Sequence, residues 1–308
     1  MRVIYFGKEA WEEAYIKEKL PGAEVIFYLG SIGQYPEARD SDAEVLSVFV
    51  NSPVGAAEMD RFPKLRLIAT RSTGFDHIQA EEAKKRGITL ASVPAYGANT
   101  VAEFAFALLL ALSRRVCDAR DRVRSGSFSQ DDLTGFDLAD KTIGVVGCGK
   151  IGQHTVRMAK GFGMKVLVSD AIKNEALAKE LGFPYVELPE LLGQSDVISL
   201  HVPYMKETHH LINTGNISQI KKGAYLINTA RGAVVETPAL IAALKDGTLA
   251  GAGLDVFEGE GDEQLNSVET QYLLKHPLVI VTPHIAFDTS EAIRRILDTT
   301  VENIRSFL

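Results

Sequence analysis

The sequence predicts an α/β protein built from two doubly wound parallel-sheet domains. Short β-rich runs alternate with helix-like stretches along the whole chain, which is typical of parallel sheets covered by helices on both faces. The alternation occurs in two separate series, one before and one after residue 142. At 308 residues the chain exceeds the usual size of a single core and fits two domains of unequal size.

The first series consists of strand-like runs with helix-like stretches between them. The strand-like runs cover residues 3–6, 25–28, 45–49, 65–69 and 88–91. The helix-like stretches cover residues 8–20, 54–62 and 77–86. A more apolar stretch, from about residue 99 to residue 124, predicts one long helix that joins the two series. Its most apolar part, residues 104–112, is far shorter than the roughly 20 residues needed to cross a bilayer.

The second series follows the same pattern. Its strand-like runs cover residues 143–146, 166–169, 197–200, 225–228, 251–254 and 279–281. Helix-like stretches fit between these runs, and a last helix is predicted over residues 290–308. The two series share an architecture, but no sequence period relates them.

A glycine motif marks the start of the second series. The segment TIGVVGCGKIG, residues 142–152, is a strand that ends in G-x-G-x-x-G. Gly147 permits a tight turn, Gly149 lets the backbone approach a pyrophosphate, and Gly152 lets helix and strand pack closely. The phosphates would lie at the helix N-terminus, where free N–H groups and the helix dipole favour anions. The strand before the motif and the amphipathic helix after it indicate a dinucleotide site.

An acidic residue follows at the spacing that this kind of site requires. The next strand-like run ends in Asp170, 18 residues beyond Gly152. An acid about 20 residues after the motif typically hydrogen-bonds the adenosine ribose hydroxyls. A carboxylate there would repel a 2′-phosphate, so the sequence predicts NAD rather than NADP as cofactor.

Charge and cysteine content exclude several other classes. The formal net charge of −7 argues against nucleic acid or an anionic membrane surface as a partner. The two cysteines, Cys117 and Cys148, lie far apart in unlike contexts, so they predict neither a disulfide framework nor a Cys-based metal site. This cysteine usage favours a reducing, cytoplasmic location. The sequence has no HExxH motif or paired Cys/His spacing, so no metal site is predicted.

Three polar residues follow strand-like runs of the second series. Arg231 ends LINTAR, Glu260 ends GLDVFEGE and His284 ends VTPH. The C-terminal ends of parallel strands line the ligand crevice, so these side chains could converge on the nicotinamide. Arg231 offers a planar fork for a carboxylate and a carbonyl oxygen, and His284 could donate or remove a proton. Glu260 could fix the imidazole tautomer and favour its charged form. Taken singly, each is more often a surface or packing residue.

Seven segments carry a resemblance to a known family: RSTGFDHI, VPAYGANTVAEFAFALLLALSRR, GCGKIG, LHVPYMKET, LINTARGAVVE, GLDVFEGE and VTPHIAF. They occur in the order and spacing of the D-isomer-specific 2-hydroxyacid dehydrogenases, so nearly the whole chain resembles that family. The resemblance implies an NAD-dependent oxidoreductase that interconverts a small 2-keto acid and its D-2-hydroxy acid. VTPHIAF and GLDVFEGE are most similar to the D-lactate dehydrogenase branch, which implies pyruvate and D-lactate.

The resemblance also implies a domain organisation and roles for the three polar residues. Residues 97–287 would form the Rossmann NAD-binding domain, and residues 1–96 a smaller, flavodoxin-like substrate domain to which the C-terminal helix, residues 288–308, returns. Arg231 would bind and polarise the substrate, His284 would be the acid/base, and Glu260 its partner. Family members are usually homodimers through the NAD domain, with the helix near residues 99–124 contributing.

Further contacts follow from the resemblance residue by residue. The substrate would be bound by Thr73, Gly74, Tyr96 and Phe287. The cofactor would be bound by Gly147, Gly149, Lys150, Ile151, Gly152, Asp170, Val202, Pro203, Thr208, Thr229, Ala230 and Asp255. Asp255 could hold the nicotinamide carboxamide, whereas Tyr96 and Phe287 could instead be plain packing residues.

The same motifs leave alternatives open. The segment between Glu260 and His284 is shorter than is usual in the D-lactate branch. Another branch of the family, a glyoxylate or hydroxypyruvate reductase or a branched-chain 2-keto acid reductase, is therefore an alternative. A different class is a non-catalytic NAD-sensing protein, similar to the transcriptional corepressors built on this scaffold. Because those proteins keep the three polar residues, turnover of 2-keto acids is the observation that discriminates.

Overall fold

The computed structural model describes residues 1–94, 96–258 and 265–307. The chain divides into two compact units. Unit 1 consists of Met1–Tyr96 and Thr289–Leu308, and unit 2 consists of Gly97–Asp288. Each unit has its own parallel sheet, so the prediction of two parallel-sheet α/β domains is confirmed.

Unit 1 contains a parallel sheet with a flavodoxin-like strand order. Its strands are β1 (Arg2–Gly7), β2 (Glu24–Leu29), β3 (Ala43–Val48), β4 (Leu67–Thr70) and β5 (Thr89–Ala91). They are arranged in the order β2-β1-β3-β4-β5. This is the flavodoxin order, in which the direction of strand addition reverses between β1 and β3.

Helices cover both faces of this sheet. They are α1 (Trp11–Lys19), α2 (Ala56–Met59), α3 (Ala80–Lys85) and the C-terminal helix α11 (Ser290–Phe307). The helix α11 buries Leu297, Val301 and Ile304 in one cluster with Val3 and Tyr5 of β1. Alternate residues of the strands enter the cluster on the opposite face, as expected for a sheet buried on both sides. The C-terminal segment therefore completes the core of unit 1.

Unit 2 contains a larger parallel sheet. Its strands are β6 (Thr142–Val146), β7 (Lys165–Ser169), β8 (Val197–Leu200), β9 (Ala224–Asn228), β10 (Leu249–Leu254) and β11 (Val279–Val281). The order is β11-β10-β9-β8-β6-β7. An isolated parallel bridge joins Val168 to Tyr185 at the outer edge of β7. Counting this bridge as a rudimentary third strand gives the Rossmann order 3-2-1-4-5-6, with β11 added as a seventh strand beside β10.

The helices of unit 2 include one correction to the sequence prediction. They are α4 (Ala98–Ser113), α5 (Val116–Arg124), α6 (Lys150–Gly161), α7 (Glu175–Leu181), α8 (Leu188–Gln194), α9 (Thr237–Asp246) and α10 (Val268–Lys275). The prediction of a single helix over residues 99–124 is wrong, because the helical conformation is interrupted between α4 and α5. Arg115 adopts a left-handed conformation (φ 52°), and the Ser113 carbonyl accepts the N–H of Phe136 at 2.9 Å. The helix α4 is largely buried, whereas α5 buries none of its residues.

Candidate active site

The glycine motif forms a turn between β6 and α6. Gly147 has a φ of 91°, and a Cβ there would lie 2.8 Å from the carbonyl oxygen of His201. A Cβ on Gly152 would lie 2.1 Å from the Gly147 carbonyl oxygen, so both positions require glycine. A Cβ on Gly149 would have nothing within 4 Å. The turn thus leaves open space at Gly149, beside the N-terminus of α6.

Asp170 is tied to this turn. The backbone N–H of Cys148, inside the motif, donates to Asp170 Oδ2 at 2.6 Å, and the N–H of Ile172 donates to Oδ1 at 2.8 Å. The carboxylate therefore holds the turn and the end of β7 together. Burial, together with the nearby Asp170 charge, raises the pKa of the Cys148 thiol to about 11, so this thiol stays protonated.

The loop after β8 borders the same turn. β6 lies between β7 and β8, at the point where the strand order reverses and ligands of such sheets bind. Val202 is partly buried and Pro203 is exposed. The Thr208 hydroxyl donates to the Pro203 carbonyl at 2.6 Å and accepts the N–H of Met205 at 2.8 Å. These hydrogen bonds of Thr208 stabilise the loop that contains Val202 and Pro203.

The end of β9 is organised by Asn228, which sequence reasoning missed. Its side-chain oxygen accepts the N–H of Ala230, and its amide nitrogen donates to the Arg231 carbonyl, both at 3.0 Å. The Arg231 guanidinium donates to the Ala230 carbonyl at 2.8 Å and is partly exposed. Thr229 Oγ1 is buried and has no hydrogen-bond partner among the described residues. The sequence did contain a signal for Asn228, because it is the polar residue at the end of an otherwise apolar strand-like run.

Asp255 connects the ends of β10 and β11. It is 1% exposed, and its Oδ1 accepts the Thr282 hydroxyl at 2.6 Å and the Ile285 N–H at 2.9 Å. Oδ2 accepts the N–H of Ala286 at 2.8 Å. These contacts make Asp255 the anchor of the loop that follows β11, and its expected contact with the carboxamide stays a prediction.

His284 lies in that anchored loop. Its backbone adopts a φ of 55°, and its N–H bonds the carbonyl oxygens of Asp255 and Thr282, each at 3.0 Å. The side chain is partly exposed, whereas Phe287, three residues later, is buried. Because β9, β10 and β11 are neighbours, the loops that carry Arg231 and His284 lie at one edge of the sheet.

Glu260, the predicted partner of His284, lies outside the described residues. The chain leading to it is held by two contacts that were not foreseen. A Cβ on Gly232, next to Arg231, would lie 2.3 Å from the Phe257 carbonyl, so only glycine allows this approach. Glu258 bonds His210 Nε2 at 2.6 Å and accepts the Thr237 N–H at 3.0 Å. Burial raises the pKa of Glu258, but these two contacts outweigh it and the pKa is lowered overall.

The other predicted substrate residues, Thr73, Gly74 and Tyr96, lie in unit 1. The Thr73 hydroxyl donates to the Val93 carbonyl at 3.0 Å, and the Ser72 hydroxyl donates to the Gly74 carbonyl at 2.6 Å. The backbone N–H groups of Thr73 and Gly74 have no acceptor among the described residues. Tyr96 is partly exposed, and its carbonyl accepts a hydrogen bond from Arg295. Two adjacent free N–H groups in a turn form a suitable site for an anion.

The described residues fit a dinucleotide and give no support for a metal. The open space at Gly149 suits a pyrophosphate, and the unpartnered Thr229 hydroxyl could bond a polar group of the cofactor. Over the same residues, no group of three His, Cys, Asp or Glu side chains could hold a metal ion. None of the described helices is both long and apolar enough to span a bilayer.

A Rossmann sheet with this glycine turn, an anchoring aspartate, and an arginine and a histidine at the ligand edge defines an NAD-dependent oxidoreductase. The model of the D-isomer specific 2-hydroxyacid dehydrogenase NAD binding domain matches residues 106–286. The chain belongs to this family, and its cofactor is NAD.

Relatives within the family include glyoxylate reductases, a D-lactate dehydrogenase and proteins named only as 2-hydroxyacid dehydrogenases. The chain is 41% identical over 273 residues to the glyoxylate reductase of Thermococcus litoralis, covering 86% of this chain and 81% of that protein. It is 35% identical over 316 residues to the D-lactate dehydrogenase of Escherichia coli, covering 99% of this chain and 96% of that protein. The structure of D-lactate dehydrogenase from Aquifex aeolicus, complexed with NAD and lactic acid, gives a TM-score of 0.91 at 41% identity, covering 99% of this chain and 95% of that chain.

Proposed function

We propose that this dehydrogenase interconverts pyruvate and D-lactate. The observation that carries the proposal is the edge of unit 2 where Arg231 and His284 lie on the loops after β9 and β11, with the His284 loop anchored by Asp255. The similarity over nearly the full length to D-lactate dehydrogenases supports this substrate pair.

Each residue has a task in the proposed reaction. A nicotinamide cofactor bound at this site would supply the hydride that adds to the carbonyl carbon. Arg231 binds the substrate carboxylate and polarises the carbonyl, and His284 donates the proton that the carbonyl oxygen takes up. Glu260 is assigned as the partner of the His284 imidazole. In the oxidation of the hydroxy acid, neutral His284 takes the proton back.

The remaining residues bind and orient. We assign the substrate carboxylate to the N–H groups of Thr73 and Gly74, with Tyr96 beside it and Phe287 against the substrate side chain. The cofactor pyrophosphate is assigned to the turn and the helix N-terminus that follow β6, and the adenosine ribose to Asp170. The other cofactor contacts are proposed for the ends of β8, β9 and β10: Val202, Pro203, Thr208, Thr229, Ala230 and Asp255.

We also propose that unit 1 is the substrate domain, that unit 2 is the NAD-binding domain and that the protein is a homodimer. The helix α5 supports a dimer, because it buries none of its own residues and leaves Val116 and Val123 about half exposed. Light scattering of the purified protein gives its mass in solution directly. A monomer at micromolar concentration would contradict the homodimer and leave the activity untouched.

A panel of 2-keto acids tests the substrate. NADH oxidation is followed by absorbance with glyoxylate, pyruvate, hydroxypyruvate, branched keto acids and phenylpyruvate. We expect the highest kcat/KM for pyruvate, and a product that a D-specific lactate assay detects. Glyoxylate reduction is the second candidate, because three glyoxylate reductases among the relatives are 41% identical to this chain. Negligible turnover of every acid would contradict an enzymatic role and favour an NAD-sensing protein.

A further inference from the structure

A buried ion pair lies at the C-terminal edge of the unit 1 sheet and takes no part in the proposed chemistry. Arg71 directly follows β4, and Glu12 lies in the first turn of α1. Arg71 Nη1 donates to Glu12 Oε2 at 3.1 Å, and the two side chains are 4% and 5% exposed. Removing two charges from water can cost more than their attraction returns, so stability alone does not explain such a pair.

The pair joins the ends of three neighbouring strands. Arg71 Nη2 donates to the carbonyl of Phe6 in β1, and the Arg71 backbone N–H donates to the carbonyl of Val48 in β3 at 2.9 Å. The guanidinium lies over the ring of Tyr5, 4.4 Å from its centroid. The Tyr5 hydroxyl donates to Glu12 Oε2 at 3.0 Å. Burial raises the pKa of Tyr5, so its hydroxyl remains a donor.

Glu12 also orders the loop between β1 and α1. Its Oε1 accepts the backbone N–H groups of Lys8 and Glu9, both at 2.9 Å. With the contacts to Arg71 and Tyr5, both carboxylate oxygens are hydrogen-bonded. A buried charge that is satisfied on all sides rigidifies its surroundings and specifies one arrangement.

The residue after Arg71 begins the turn to which we assign the substrate carboxylate. The Ser72 carbonyl accepts the N–H of Val93 at 2.9 Å, and the Thr73 hydroxyl donates to the Val93 carbonyl. The Ser72 hydroxyl closes the turn by donating to the carbonyl of Gly74. Hydrogen bonds to Val93 therefore hold the turn of residues 72–74 on one side. At its start, the turn is joined directly to Arg71, which the ion pair immobilises.

We propose that Arg71 and Glu12 are a positioning pair that holds the turn of residues 72–74 where its N–H groups bind the substrate carboxylate. This inference rests on the proposed function. The pair is neutral as a whole, so it acts through geometry rather than by adding positive charge to the site. Loosening the pair should weaken keto-acid binding and leave NADH binding, which belongs to unit 2, unchanged.

Two variants loosen the pair in different ways. Arg71→Lys keeps the charge, but an ammonium group cannot reproduce the planar fork that reaches Glu12 and the Phe6 carbonyl together. The double variant Arg71→Met with Glu12→Met replaces the pair by apolar side chains, a change that is often neutral or stabilising. Arg61→Lys is the matched control, because Arg61 also pairs with an acid, Glu58, and donates to a backbone carbonyl of unit 1.

The measurements are KM and kcat for the best keto acid, the Kd for NADH by fluorescence titration, and the melting temperature. We expect both variants to raise KM about tenfold or more, the effect of weakened hydrogen bonds to a charged group. We expect kcat within about threefold of the parent and an unchanged Kd for NADH. Arg61→Lys should leave KM unchanged.

Other outcomes overturn the proposal and are distinguishable. A pair with only a structural role would lower the melting temperature and the active fraction, so kcat would fall in proportion while KM stayed constant. An equal rise in KM and in the Kd for NADH would indicate that the variants loosen the whole protein, which contradicts a role confined to the turn of residues 72–74. If Arg71→Lys does not fold, the double variant decides by the same measurements. If the parent reduces no keto acid, the proposed function fails, and the positioning role fails with it.

Discussion

His284 occupies a backbone region that costs a non-glycine residue about 1–2 kcal/mol. Its N–H and those of the next residues are held by Asp255 and Thr282, which keep the loop in this form. We expect His284→Gly to be more stable than His284→Ala by about 1 kcal/mol, after allowing for the larger chain entropy of glycine. Both should lose most activity and still bind NADH. Chemical unfolding and NADH titration measure this, and equal stabilities would show that the conformation is not strained.

Arg231 should not tolerate lysine. The lysine variant keeps the charge but loses the planar fork that we assign to the carboxylate and the carbonyl oxygen. We expect kcat/KM for pyruvate to fall on the order of a hundredfold or more, as when one charged hydrogen-bond donor is removed from a transition state. Arg122→Lys is the control, because Arg122 also donates to a backbone carbonyl in unit 2, that of Ser129. Near-normal pyruvate reduction by Arg231→Lys would remove Arg231 from the site.

Asp170→Asn tests the cofactor preference. Asparagine keeps the shape but not the charge, so the repulsion of a 2′-phosphate disappears and the preference for NADH over NADPH should narrow by about tenfold. KM for NADH should rise modestly, because one of the N–H contacts from Cys148 and Ile172 loses its acceptor. The ratio of kcat/KM for the two cofactors is the measurement, with Asp118→Asn in α5 as control. An unchanged ratio would show that Asp170 is not at the ribose.

At the scale of elements, the β6–α6 connection offers a matched pair of glycine variants. Gly149→Ala should fold with parental stability, because nothing lies within 4 Å of the added Cβ. It should weaken NADH binding on the order of tenfold, because the methyl group enters the space of the pyrophosphate and displaces a charged hydrogen bond. Gly152→Ala should lose stability as well, since its Cβ would lie 2.1 Å from the Gly147 carbonyl oxygen. Equal stability losses in the two variants would contradict this division of roles.

The strands were the elements that the sequence predicted best. β8 and β11 have the predicted bounds, and β6 starts one residue earlier, because short runs rich in β-branched residues give a strong signal for strands. The break between α4 and α5 could not be predicted. Residues 113–116 contain no proline or glycine, and the break depends on a contact with Phe136, which is distant in sequence.

For the whole molecule, the order of motifs along the chain predicted the family and the cofactor, both of which the comparisons confirm. Contacts between loops that are distant in the sequence could not be predicted from it. Asn228, Gly232 and the anchoring role of Asp255 depend on which strands are neighbours, and a single sequence does not show that. The substrate stays a prediction, because relatives named for glyoxylate and for D-lactate share the same motifs.

The stability of the molecule should depend on pH through His201. This histidine follows β8, and its Nε2 lies 3.0 Å from the Thr155 hydroxyl and 2.9 Å from the Ser199 hydroxyl. Its Nδ1 is shielded from solvent and has no partner among the described residues. Burial lowers the pKa of His201 from 6.5 to about 4. Between these values the unfolded chain binds a proton that the folded chain does not.

The free energy of unfolding should therefore fall as pH decreases from about 6.5 to about 4. Burial also lowers the pKa of His276, which adds to the same trend. Asp196 and Glu258 have lowered pKa values, so the stability that they contribute is lost only at more acidic pH. We expect His201→Gln to flatten the decline without abolishing it, because His276 still titrates. Urea unfolding of parent and variant at half-unit pH steps measures the slopes, and parallel curves would show that His201 is protonated equally in both states.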